Sequence, residues 1–120
     1  MKASRREILA RSRPRVSVLD FDRQEILTLL KDRLQGRDIR EAYVFGSFPS
    51  GRAGAWSDLD VLLVKDTEAP FVERPRDFWD LLDIGIAMDI LVYTAEEFER
   101  LAQSDSGFWR EFQRSRIRIL

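Results

Sequence analysis

At 120 residues the chain is expected to form one domain with a real core and little room for a second module. Its 44% hydrophobic and 34% charged residues mark an ordinary globular sequence, and a net charge of −1 supplies no global pull toward nucleic acid or membranes. With no Cys and no His, thiol nucleophiles, Cys-based zinc sites and the Ser-His-Asp arrangement are excluded, which leaves carboxylates, hydroxyls, Arg, Lys and metal.

Residues 1–20 set Lys2, Arg5, Arg6, Arg11, Arg13 and Arg15 against few acids, with Pro14 interrupting. They read as a basic N-terminal arm, more often a solvated tail than a grip on an acidic partner. Residues 21–120 are expected to make up the domain itself. Asp22 and Glu25 form a capping-box pattern ahead of Ile26, Leu29, Leu30 and Leu34 at helical spacing, and Gly36 fits the stop. A strand is expected over 42–46. After a Gly-rich connection, a second strand opens on Asp58 and Asp60 and runs to Val64.

Pro75 suits a first helical position, with Phe78, Trp79, Leu81 and Leu82 as the apolar face of a helix ending near Gly85. Residues 88–93 predict a third strand. Thr94 and Glu97 form a second capping box, for a helix through about Gln103. Ser106 caps a last helix whose Phe108, Trp109 and Phe112 pack on the core, and Ile117 and Ile119 end the chain in a short strand or tail. Trp56, Trp79 and Trp109 read as core or edge packing rather than base-stacking platforms. No apolar run reaches membrane-span length, and the basic start lacks the apolar stretch of a signal peptide, so a cytoplasmic protein without a membrane partner is expected.

The topology carries the chemistry. The connection from Ser47 to Ser57 is too short for a parallel crossover, so the first two strands should run antiparallel. Gly46-Ser47 then meets Asp58 and Asp60. The third strand follows a connection long enough for a helical crossover and can lie parallel to the second, which brings Asp89 to the same sheet end. Residues two apart on a strand share a face, so Asp58 and Asp60 form a paired acidic site, with Leu59, Val61 and Leu63 facing away. Adjacent anions are costly unless water or a cation screens them, and oxygen ligands of this sort suit a hard ion such as Mg²⁺.

Gly46-Ser47, ten intervening residues, Asp58-Leu59-Asp60 and a later strand carboxylate at Asp89 resemble the nucleotidyltransferase superfamily that includes DNA polymerase beta. The match is nearest to its minimal nucleotidyltransferase (MNT, MntA-like) group, with the signature G-S-x10-D-x-D, and covers roughly residues 22–115. The resemblance implies an α/β (α+β) nucleotidyltransferase fold, a small mixed sheet flanked by helices. It implies ATP as substrate and two Mg²⁺ ions held by Asp58, Asp60 and Asp89, with Asp89 also helping to deprotonate the attacking hydroxyl. Gly46 would allow close backbone approach, and the Ser47 hydroxyl and neighbouring amides would hold the β- and γ-phosphates at a helix N-terminus. Ser57 would orient the first carboxylate.

The phosphate loop departs from the family's G-S-R-A-R-G-like stretch: Phe48 and Ser50 stand where basic residues are usual, and Pro49 removes one amide donor. Arg52, or more weakly Lys65, is the available substitute. The resemblance further implies an antitoxin that transfers AMP to a tyrosine of a HEPN-type toxin partner, with no stable nucleic-acid binding. A non-catalytic antitoxin or nucleotide-binding module that acts by binding its partner is the alternative, and homo- or hetero-oligomeric state stays open.

Overall fold

The computed structural model describes residues 21–54 and 57–120; the basic arm assigned to 1–20 and Trp56 lie outside the described residues. Helix α1 spans Arg23–Leu34 and starts on the expected capping box: Asp22 accepts from the Glu25 amide, and the Glu25 side chain accepts from the Asp22 amide. Each such cap is worth about 1 kcal/mol. Strand β1 (Glu41–Phe45) pairs antiparallel with β2 (Leu59–Val64), and β2 pairs parallel with β3 (Met88–Tyr93). Helices α2 (Ala95–Ala102) and α3 (Gly107–Ser115) follow, and β4 (Ile117–Arg118) closes on β1. The result is a four-stranded mixed sheet in the order β3-β2-β1-β4 with helices on both faces, which agrees with the expected α/β architecture.

Alternation along the strands divides the core. On one face Val44, Leu59, Val61, Leu63, Ile90 and Val92 pack against Ile26, Leu30 and Leu34 of α1 and against Phe78 and Leu81. On the other, Tyr43, Phe45, Leu62 and Val64 meet Phe98, Trp109 and Phe112. Trp109 is buried there and stacks on Phe112 at 5.3 Å, as expected of it. Asp60 shares this second face, because it alternates with Leu59 and Val61.

The segment between β2 and β3 differs from the expectation. It is a 3₁₀ helix over Phe71–Ile84 with Pro75 inside it, rather than an α-helix beginning at Pro75. Side chains three apart eclipse in 3₁₀ winding, so Phe78 and Leu81 reach the core together while Trp79 is left 58% exposed and Leu82 44% exposed. Arg74 of this helix is buried: its Nε donates to the Ala69 carbonyl at 2.8 Å, one Nη to the Val92 carbonyl at 3.0 Å, and the guanidinium pairs with Glu97. That ion pair joins the 3₁₀ helix, β3 and the start of α2. Among the described residues no helix is long and apolar enough to cross a membrane.

Candidate active site

Asp60 and Asp89 sit directly opposite each other in the β2/β3 register, so both carboxylates leave the same face from strands about 5 Å apart. Phe45 is the partner of Asp60 on the β1 side. The row across the sheet is thus Phe45, Asp60, Asp89. Phe45 is itself buried, with Phe108 and Phe112 edge-on at 5.6 and 5.4 Å. Burial first, then the charges of Asp89 and Asp58, push the Asp60 carboxyl up to about 6. Asp60 is thus the acid on which both neighbours act.

Asp58 is placed differently from the expectation. The strand begins at Leu59, so Asp58 precedes it in the connection and is exposed, as is Asp89. Among the described residues the Ser57 hydroxyl makes no hydrogen bond to a carboxylate. It accepts from the Gly54 amide at 2.8 Å while the Ser57 amide donates to the Gly54 carbonyl at 3.1 Å, which closes the turn before Asp58.

Gly46 adopts φ +85°, and a Cβ there would collide with the Asp60 carboxylate, lying 3.3 Å from its Cγ. Both observations require glycine: the left-handed backbone disfavours other residues, and the space is already filled by the acid. The Gly46 amide donates to Ser115 Oγ at 2.8 Å, so it is not among the donors open to a phosphate.

Beyond Gly46 the chain makes successive turns through Gly51 instead of a helix, which corrects the expectation of a helix N-terminus at Ser47. Gly51 again has positive φ and Pro49 supplies no amide; the Ser50 amide donates to the Gly46 carbonyl at 3.4 Å and the Gly51 amide to the Phe48 carbonyl at 3.2 Å, single turns that do not propagate into a helix. Without a helix there is no macrodipole. Anion binding falls to the loop's own amides. Among the described residues the Ser47 and Phe48 amides and the Ser47 hydroxyl have no hydrogen-bond partner.

Arg52 stays close to this loop, with its amide donating to the Ser47 carbonyl at 2.9 Å and its guanidinium held by Glu111 at 2.8 Å. Lys65 lies past the opposite end of β2, about 17 Å along the strand from Asp60, and its Nζ donates to the Asp38 carbonyl at 3.2 Å. It cannot serve the loop.

The donor set suits a hard divalent cation: oxygen ligands only, and one carboxyl whose ionisation its neighbours oppose. Among the described residues, however, no three acids converge into a ready metal group. Asp58 and Asp89 are both exposed. The residues fit an ion that shares its coordination with a ligand, rather than one caged by protein alone.

Ser115 and Glu111 were not foreseen as site residues. They lie 69 and 59 positions from their loop partners, and a Ser and a Glu on a helix carry no signal of such contacts.

Among solved structures, the chain is similar to a toxin–antitoxin crystal structure with AMP-PNP, at 15% identity and TM-score 0.46, over 80% of this chain and 72% of that one. It is similar to two mutants of the MntA-HpeT toxin–antitoxin as well. One has 15% identity and TM-score 0.44 over 83% and 73% of the two chains; the other has 18% and 0.42 over 82% and 71%. No curated protein matches the chain. The family model for the nucleotidyltransferase domain matches residues 23–119, and the chain therefore belongs to that family.

Proposed function

We propose that the chain is a Mg²⁺-dependent nucleotidyltransferase that moves AMP from ATP to a hydroxyl. The supporting observation is the Asp60/Asp89 pair in direct register, with Gly46 packed on Asp60 at the head of the loop. Members of the family generally use a nucleoside triphosphate and a divalent metal. Asp58, Asp60 and Asp89 would hold two Mg²⁺ ions, which would supply positive charge to the site as the acceptor hydroxyl displaces pyrophosphate from the α-phosphate of ATP. Asp89 also accepts the proton of the attacking hydroxyl. The Ser47 hydroxyl and the Ser47 and Phe48 amides hold the β- and γ-phosphates, with Arg52 adding positive charge at the loop's end. Ser57 keeps the turn into Asp58 closed.

The acceptor in this reading is a tyrosine of a HEPN-type toxin, as the G-S-x10-D-x-D resemblance implies, and the protein is its cytoplasmic antitoxin. Exposed Phe71, Val72, Trp79 and Leu82 on the 3₁₀ helix offer apolar surface to such a partner. Incubation with labelled ATP, Mg²⁺ and a co-expressed HEPN-type partner should label that partner, and Asp58→Ala or Asp60→Ala should abolish the label. Absence of both label transfer and Mg²⁺-dependent ATP binding contradicts the reading.

One observation favours a second reading, a non-catalytic antitoxin: the loop lacks a helix, and its nearby Arg52 is already engaged by Glu111. Asp58→Ala and Asp60→Ala variants that still neutralise the partner would decide for binding over transfer.

A further inference from the structure

Helix α3 grips the loop from Gly46 to Arg52 at both ends. At its last position, Ser115 is 7% exposed. Its hydroxyl donates to the Glu111 carbonyl at 2.7 Å and accepts the Gly46 amide at 2.8 Å, so donor and acceptor roles are both used. One turn earlier the Glu111 side chain accepts from Arg52. These contacts are not what docks α3 on the sheet, because Trp109 and Phe112 already pack against the aromatic cluster around Tyr43 and Phe45.

We infer that Ser115 is a positioning residue for nucleotide binding, acting through the Gly46 peptide. Its acceptor oxygen fixes that peptide where Gly46 touches the Asp60 carboxylate, so one hydrogen bond sets the spacing between the phosphate loop and the acids. It also occupies the Gly46 amide, which leaves the Ser47 and Phe48 amides as the loop's open donors. Without the hydroxyl, a buried amide loses its partner and the loop turns away to find another. The inference rests on the reading of this loop as the triphosphate site.

The test is calorimetric titration of the full chain with a non-hydrolysable ATP analogue and Mg²⁺, with NMR exchange of the Gly46 amide alongside. Ser115→Ala and the near-isosteric Ser115→Cys, a weak acceptor, should each raise Kd on the order of 10-fold and speed Gly46 exchange. Ser115→Thr keeps the hydroxyl and should stay within about threefold of the wild type. Thermal unfolding checks that each variant is folded; should Ser115→Ala not fold, the Cys and Thr variants carry the comparison. Unchanged affinity in folded Ser115→Cys overturns the inference and leaves the functional reading standing. A wild type that binds no analogue overturns the functional reading, and the inference with it.

Discussion

At one end of the sheet Asp60 faces like charge; near the other, Glu97 faces donors. Burial and the neighbouring Asp89 and Asp58 raise the Asp60 carboxyl to about 6. The Arg74 guanidinium and then the Thr94 amide lower Glu97 to about 2. Two carboxylates of similar intrinsic acidity are driven apart by what surrounds them. The Glu97 end is complete within the chain, because its charge is paired and its oxygens accept from Arg74 and Thr94. The Asp60 end has no such cation beside it among the described residues, and in the proposed function Mg²⁺ supplies one. Paired charge here serves the fold, whereas like charge gathered at the end of the sheet beside a loop is what the proposed function reads as a ligand site.

The largest effect expected at the incomplete end is on transfer: Asp60→Ala should lower it on the order of 10³-fold or more, read as label incorporated into the partner. The largest effect at the complete end is on stability. Arg74→Ala leaves Glu97 without its cation and opens a buried space, and should cost about 3 kcal/mol in urea unfolding.

The same kind of substitution has opposite consequences at the two ends. The native Asp60 carboxyl binds its proton more tightly than the unfolded one, so its contribution to stability declines as pH rises from about 4 through 6. Asp60→Asn should therefore stabilise the metal-free protein at pH 8, by about 1–2 kcal/mol after allowance for its partial exposure. The gain should vanish near pH 4. Glu97 has the opposite sign: its native carboxyl is the stronger acid, so its contribution is full above about 4.5 and is lost as pH falls toward 2. Glu97→Gln should flatten that acid limb of the unfolding profile. The smallest effect separates the ends by ligand: Mg²⁺ should raise the unfolding temperature more at pH 8 than at pH 5, where Asp60 is protonated.

Local patterns made much of this visible beforehand. Asp22/Glu25 and Thr94/Glu97 mark helix starts because each box satisfies orphan amides within four residues. Connection lengths fixed the strand directions, and with them the meeting of Asp60 and Asp89 across a register no single motif encodes. Three features were not readable. Pro75 suggested a helix start, but tertiary packing selected 3₁₀ winding with Trp79 outside. Gly46 and Gly51 bend the loop out of helical form, and the contact that leaves no room for a side chain at Gly46 comes from Asp60 on the neighbouring strand. The Ser115–Gly46 and Arg74–Glu97 contacts join distant segments, and only the folded sheet brings them together.

The most direct test is calorimetric binding of an ATP analogue to the wild type and to Asp60→Asn, each with Mg²⁺ and with EDTA. If the acids at this end of the sheet form a shared cation and nucleotide site, only the wild type with Mg²⁺ should bind appreciably. Equal binding in EDTA, or full binding by Asp60→Asn with Mg²⁺, would contradict that account.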